Sequence, residues 1–286
     1  MKLSVIIPHY NDVTRLKKCL NALVPQLEET CEVIVVDNNS TEDLEDLSSF
    51  SGSVLITSET KKGAAHARNK GVSLSKGQYL LFLDCDCIPQ KDWISSALAR
   101  CTPDIVFGGK VTVFNETPPP MNGAEAFEHV FAFNQEDYIN NKNFSVTANL
   151  LVSREIFEKA GEFKAGVSED TEWCLRLLPL GIPLEYEEKM VVSHPTRNNW
   201  SELKRKWLRL TSESFELHKN QKGSRLKWLL RAGLVFASGM VHIPKILLFS
   251  GLSGLEKLKA ISTLVRLRTM RALWMTSQAL GLSKTG

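Results

Sequence analysis

Asp84 and Asp86, separated by Cys85, directly follow the apolar run Tyr79 to Leu83. A buried strand that ends this way puts both carboxylates on one side of the pleat, at its carboxyl end, where open α/β sheets bind ligands. Hard cations such as Mg2+ and Mn2+ take oxygen ligands and are commonly shared between one or two carboxylates and substrate phosphates. The pair therefore points to a metal-assisted reaction on a nucleoside diphosphate. An Asp-x-Asp with no context is equally a pair of solvated loop acids, so the neighbouring segments decide between the two.

Positioning such a pair requires a sheet, and the first 115 residues have the pattern of one. Leu3 to Ile7, Glu32 to Val36, Val54 to Thr57, Tyr79 to Leu83 and Ile105 to Phe107 are Val, Ile, Leu or Phe runs bounded by turn residues, the signature of buried strands. Helix candidates lie between them, such as Val13 to Leu23, whose Leu16, Leu20 and Leu23 recur at helical spacing. This alternation predicts an α/β fold, a mostly parallel sheet covered by helices on both faces. Its ligand edge carries Pro8 to Asp12, Asp37 to Thr41 and Asp84 to Asp86. Asp37 can accept the imide N–H of uracil or thymine, and Tyr10 offers a flat face for a base. Asn39 to Thr41 also read as the cap of a helix from Glu42, and Asp12 as the cap of the one after it. Arg68, in the small-residue segment Gly63 to Gly71, can fork onto phosphate oxygens or hold an Asp of the acidic pair in place.

Four ordered segments resemble the successive motifs of family 2 glycosyltransferases, which have the GT-A fold: Val5 to Asn11, Val35 to Thr41, Gly63 to Gly71 and Phe82 to Asp86. The resemblance covers roughly residues 1–200. It implies inverting transfer of a hexose or N-acetylhexosamine from a nucleotide sugar, commonly UDP-linked, with Mn2+ or Mg2+ as cofactor. By the same resemblance Pro8, Tyr10 and Asp37 would contact the base, Asp84 the ribose or diphosphate, and Asp86 the metal. Lys61 departs from the family pattern, standing where Asn is frequent.

The second half supplies the acceptor side. Asn143 to Ser153 reads as a strand with small and polar residues at its middle, followed by a helix from Arg154. Thr147 and Asn149 there, with Glu169 and Trp173 further on, are the candidates for acceptor or sugar binding. Ser168 reads as an N-cap, and Glu169, Asp170 and Glu172 as acids in the first turn that helix termini favour. The resemblance assigns Asp170 a further role, as the base that takes the proton of the acceptor hydroxyl. It likewise implies that His194, in Val191 to Pro195, lies close to the metal and diphosphate. A single displacement needs no enzyme nucleophile, so the two-carboxylate arrangement of glycoside hydrolases is not the template.

Composition and charge bound the rest. The chain has 286 residues, 43% of them hydrophobic, and a net charge of +3. That total hides an asymmetry: residues 222–286 hold eleven Lys or Arg against Glu256 alone, whereas residues 1–221 hold 24 basic and 31 acidic side chains. The polar stretch Lys219 to Ser224 marks the change. A GT-A catalytic domain over 1–200 is expected, its nucleotide-sugar half ending near 115 and its acceptor half spanning 116–200, with a basic helical region over 201–286. Met1-Lys2 runs straight into Leu3, with no room for a signal peptide, so a cytoplasmic location is expected. The six cysteines show no Cys-x-x-Cys spacing and read as reduced and structural.

The tail is apolar over Ala232 to Val241, but His242, Pro244 and Lys245 interrupt it before the roughly 20 residues of a spanning helix are reached. A helical wheel of residues 255–274 groups Leu255, Leu258, Ile261 and Val265 but leaves Leu264 and Leu267 aside. Two uses are open: a cationic hairpin on the anionic cytoplasmic face of a membrane, or packing against the catalytic domain or a second subunit as an oligomer contact. Nucleic acid is not an expected partner, since no recognised module accompanies the charge. Saccharide, lipid-linked and protein-glycan acceptors all remain open. Leu203 to Trp207 lacks the Gln-x-x-Arg-Trp motif of processive synthases, which favours addition of one sugar. A nucleotidyltransferase and a non-catalytic, membrane-associated sugar-binding protein are the alternatives. The first lacks a Gly-rich, Arg-containing start, and the second would have no use for Asp84, Asp86, Asp170 and His194 together.

Overall fold

The computed structural model describes residues 1–219 and 223–282; Asn220, Gln221 and Lys222, the centre of the expected polar boundary, lie outside the described residues. The elements run β1 (Leu3–His9), α1 (Val13–Leu23), β2 (Cys31–Asp37), β3 (Val54–Ser58), α2 (Ala64–Leu74), β4 (Tyr79–Leu83), β5 (Ile88–Pro89), α3 (Trp93–Ala99) and β6 (Val106–Phe114). There follow α4 (Gly123–Phe131), α5 (Gln135–Lys142), β7 (Asn149–Ser153), α6 (Arg154–Ala160), α7 (Glu169–Leu175), β8 (Leu184–Pro195), α8 (Trp200–His218), α9 (Ser224–Val241), α10 (Ile243–Leu248) and α11 (Gly254–Leu280). The helix expected from Glu42 is instead a 3-10 turn over Glu45–Phe50, because Asn11 Oδ1 accepts the Thr41 and Glu42 N–H groups and holds that stretch as a loop.

Eight strands form one sheet in the order β3-β2-β1-β4-β7-β6-β8-β5. β1 pairs in parallel with β2 and β4, and β2 with β3, whereas β7 runs antiparallel to β4 and β6, and β5 to β8. The α/β class is as expected, and the sheet is mixed rather than mostly parallel, its second half being built on antiparallel pairs. The middles of the parallel strands β1, β2 and β4 are apolar runs because both faces are covered, and polar residues such as Ser4, His9, Glu32 and Asp37 stand near their ends. Leu3, Val5, Ile7, Leu81 and Leu83 enter one core with α1, and Ile6, Leu80 and Phe82 the opposite one with Val72, Phe157 and Trp173. Gly71 lets α2 lie against β1, since a Cβ there would sit 2.5 Å from Ile6 Cγ2.

The chain divides into two compact units: one of residues 1–112 and 133–194, the other of 113–132 and 195–286. The expected division at 200 differs from this, because α4 belongs with the C-terminal helices. Its Ala126 and Phe127 are buried among Leu203, Ile246, Ala260, Leu264 and Leu267. An Asn122–Glu125 capping box starts α4, and buried Glu128 pairs with Lys206 at 2.6 Å. In α11 Ala260, Leu264 and Leu267 are among the buried positions, whereas Leu255 and Leu258 are more than 60% exposed. The apolar face drawn from the wheel is thus the outward one. By length and composition Ser224–Leu248 is long and apolar enough to cross a membrane, at 25 residues and a mean hydropathy of 1.2, and the helix breaks at His242, between α9 and α10, where the interruption was expected.

Candidate active site

The parallel register brings the predicted ligand edge together. His9 stands opposite Asp37 on neighbouring strands, and Ile6 opposite Phe82, so the ends of β1, β2 and β4 converge. Asp37 is buried, and its two oxygens meet His9 Nδ1 at 2.9 Å and the Ser40 N–H at 3.0 Å. Burial pushes its carboxyl up, but the bonds from Ser40 and His9 outweigh that and hold it below the usual carboxylate range. The Asp12 N–H donates to His9 Nε2 at 3.1 Å, which fixes His9 as the tautomer with its proton on Nδ1, facing Asp37. Tyr10, beside it, is 52% exposed and presents an open ring, while Pro8 is buried in the strand.

Arg68 occupies the centre of the site. It is 4% exposed, its Nη2 donates to Asp84 Oδ1 at 2.5 Å, and its Nη1 donates to Glu169. Burial alone would lower its pKa; the charges of Glu169 and Asp84 reverse this and raise it. Of the two roles open to Arg68, the geometry therefore realises the second: it fixes an acid of the pair. Because Glu169 opens α7, the same guanidinium also anchors the element that carries Asp170.

Asp170 is partly buried, and its Oδ1 accepts from the Thr171 N–H at 2.7 Å and from Ser168 Oγ at 3.0 Å. Ser168 thus orients Asp170 and makes no side-chain cap to α7, so its expected N-cap bond is absent. Oδ2 makes no hydrogen bond among the described residues. Burial raises the Asp170 pKa against the pull of Thr171, Ser168 and Arg68, and Asp84 adds to the rise. A carboxylate with one oxygen tied down, the other open and its basicity increased has the properties of a general base.

Asp86 Oδ2 lies 3.3 Å from His194 Nε2, and the His194 ring packs at 4.7 Å from Phe133. That separation suits two neighbouring ligands of an octahedral ion, which would be ~3 Å apart at bond lengths of ~2.1 Å. The flanking thiols of Cys85 and Cys87 are pushed well up by burial and by the charges of Asp86 and Asp84. Among the described residues no group of three His, Cys, Asp or Glu side chains gathers to hold a metal alone. The donor set therefore fits Mn2+ or Mg2+ that takes its remaining ligands from phosphate oxygens and water.

Three expected contacts are corrected. Trp173 is fully buried, stacked 5.8 Å from Phe157 with its Nε1–H on the Gly161 carbonyl, and belongs to the core. Asn149 is fully buried and spends its amide on Trp93, Lys110 and Met190. Thr147 is 4% exposed, so none of the three presents surface to a sugar. Glu169 is the partner of Arg68. Conversely, His9 and Asn38 are structural members of the site that the motifs did not single out. Asn38 accepts the Gly63 N–H and donates to the Glu59 and Lys61 carbonyls, pinning the loop before α2. Their signal was present as polar side chains inside apolar strand ends. A cavity of about 640 Å3 is lined by Lys110, Phe133, Gln135 and Tyr186, and Phe133 is the residue that meets His194.

A mixed sheet with nucleotide-binding loops at the ends of β1, β2 and β4 defines a GT-A type glycosyltransferase. The sequence pattern described as Glycosyl transferase family 2 matches residues 4–161, and the chain belongs to that family. Glycosyltransferase AglE of Haloferax volcanii is 30% identical over 208 residues, spanning 68% of this chain and 67% of that protein. Among solved structures, the mannosyltransferase PcManGT of Pyrobaculum calidifontis, in complex with GDP-Man and Mn2+, has a TM-score of 0.58 at 14% identity, covering 99% of this chain and 76% of that one. TarS 1-349 of S. aureus, in complex with UDP-GlcNAc, has a TM-score of 0.55 at 16% identity, covering 98% and 92%. At these identities the structures share the fold.

Proposed function

We propose that this enzyme moves one sugar, a hexose or N-acetylhexosamine, from a UDP-linked donor to a saccharide or lipid-linked acceptor with inversion at the anomeric carbon. The observation that carries this reading is Asp170, held through Oδ1 beside the Arg68–Asp84 pair with Oδ2 open. The acceptor hydroxyl gives its proton to Asp170 Oδ2 as its oxygen bonds to the anomeric carbon. The bond from that carbon to the diphosphate oxygen breaks, and its electron pair leaves with the diphosphate. Asp86 and His194 would hold Mn2+ or Mg2+, whose chemistry is to neutralise charge on the departing diphosphate. Complexes of fold relatives with GDP-Man and Mn2+ and with UDP-GlcNAc support a nucleotide sugar and a divalent ion.

Tyr10 stacks on the base and Asp37 accepts its imide N–H. The cavity beside Phe133 and Tyr186 receives the acceptor. Unit 2 rests on the cytoplasmic face of a membrane through its exposed apolar helix surface, and the cations of the tail attract the anionic leaflet. The test is a screen of nucleotide sugars for thermal stabilisation, followed by product analysis. A β-linked product from an α-linked donor, formed only with divalent metal present, is the expected result. Retention of configuration, or full turnover in chelator, would overturn the reading.

A further inference from the structure

Unit 2 half-buries two arginines, Arg268 and Arg271, for which no carboxylate partner is found among the described residues. Arg268 and Arg271 share one face of α11 and both lie over Trp207 of α8, at 5.9 and 4.2 Å from the ring centroid. Arg268 Nε and Trp207 Nε1 are buried with no hydrogen-bond partner, as is Nδ1 of His242 at the end of α9. The one hydrogen bond of Arg271 among the described residues, Nε to Thr211 Oγ1, is 3.4 Å long. Gly239 of α9 packs beside Arg268, where a Cβ would lie 3.4 Å from Arg268 Cβ.

The electrostatics agree with the geometry. Burial depresses the Arg271 pKa to about 9, with Arg268 and Arg231 adding to the effect, and burial also lowers that of Arg268. No carboxylate opposes either shift. The Trp207 face offsets part of the desolvation, but stacking leaves the in-plane N–H donors without acceptors. Buried unpaired donors and charges are rare in folded proteins and call for a specific cause. A phosphate oxygen is the natural acceptor for an arginine fork.

We propose that this cluster binds the phosphate of an anionic lipid, with Arg268, Arg271 and the Trp207 N–H as donors. The hydrocarbon source is argued from α9 and α10. Leu226, Leu230 and Leu234 form a stripe spaced by four residues with exposures of 64%, 64% and 72%, and Met240 and Leu248 follow at 67% and 85%. Arg225, Lys227 and Lys245 interleave with it, the composition of a helix lying at an anionic interface. The inference rests on the membrane part of the function proposed above and adds to it a defined headgroup site.

The experiment uses the full chain with phosphatidylcholine vesicles, with and without phosphatidic acid. Phosphatidic acid should strengthen binding, and Arg268→Gln with Arg271→Gln should remove roughly tenfold or more of that gain while sparing adsorption to neutral vesicles. Removing equal charge at exposed Arg225 and Lys227 should change the gain by no more than about threefold. Trp207→Phe, which keeps the ring and loses the N–H, should lose part of it. Leu230→Glu with Leu234→Glu should instead abolish binding to both vesicles, and binding that survives this change would overturn the membrane reading independently of the headgroup site. Equal losses in the two charge-removal variants would reduce the site to diffuse attraction. Displacement of the protein from acidic vesicles by inorganic phosphate at matched phosphate concentration would overturn the lipid assignment, as would failure to bind either vesicle. Melting temperature without lipid gives an independent readout: Arg271→Gln should raise it, because an unpaired buried charge is removed, and a fall would make the arginine a structural strut.

Discussion

Two arginine sites, one in each unit, the first buried and the second half-buried, have opposite surroundings. Arg68 in the catalytic unit lies between Asp84 and Glu169 and has its pKa raised by them. Arg268 and Arg271 in the other unit face a tryptophan and no acid, and burial lowers the pKa of both. An arginine with carboxylate partners is a positioning device whose charge is already spent. One without them keeps its donors for something that arrives from outside. On the proposals above, the same residue type separates a preorganised reaction centre from a receptor.

Removing the acid that serves the metal should have the largest effect. Asp86→Ala should lower turnover by roughly 1000-fold or more, as expected when several kcal/mol of charge stabilisation is lost at about 1.4 kcal/mol per tenfold. Steady-state assays over a manganese titration check this, and full rescue by excess metal would place the ion elsewhere. Next comes stability, where the two arginine sites should part in sign. Arg68→Met leaves Asp84 and Glu169 without their counter-charge and should destabilise the fold by about 3 kcal/mol, whereas Arg271→Met should be neutral or stabilising by about 1 kcal/mol. Denaturant melts of both variants decide it, and changes of the same sign would erase the contrast between the units. The smallest expected effect is Tyr10→Ala, which removes one stacking face and should weaken UDP binding by about 1 kcal/mol with turnover at saturation preserved. Calorimetric titration reads it directly.

Much of this was legible in the sequence, for reasons that differ by element. The strands β1, β2 and β4 have apolar runs at their middles because helices cover both faces, and α1 spans the expected Val13–Leu23. β8 was harder, since Leu184–Pro195 mixes three acids and a lysine with its apolar positions and only Val191–Val192 stands out. The expected strand from Asn143 shrank to Asn149–Ser153 because Phe144 to Ala148 fold into turns around Gln135 and Cys174. The acidic pair and the nucleotide loops were readable as polar residues at strand ends. The ion pair of Arg68 with Glu169 joins residues 101 positions apart, so no local pattern could reveal it. Trp173 sits amid acids and reads as a sugar platform, yet the turn of α7 directs it into Phe157 and Phe163. The outward face of α11 was invisible for a related reason: the partner of its inner face is α4, more than a hundred residues earlier.

The raised pKa of Asp170 links chemistry to stability. A carboxyl whose folded pKa exceeds its ordinary value of 3.8 contributes stability below that value and loses it as pH rises through the folded pKa. Asp170→Asn should therefore stabilise the protein at neutral pH and remove this part of the pH dependence, a gain that thermal melts across the acid range would detect. If Asp170 is the base, as proposed, the same ionisation should set the acid limb of catalysis, because only the carboxylate accepts the proton.

The most direct measurement compares the pH profile of kcat and the UDP affinity of Asp170→Asn with those of the parent enzyme. Asp170 as the base predicts turnover lowered by roughly 100-fold or more, an acid limb above the usual carboxylate range that disappears in the variant, and UDP affinity within a few-fold. Equal losses of affinity and turnover with the acid limb intact would contradict it and return Asp170 to the first turn of a helix.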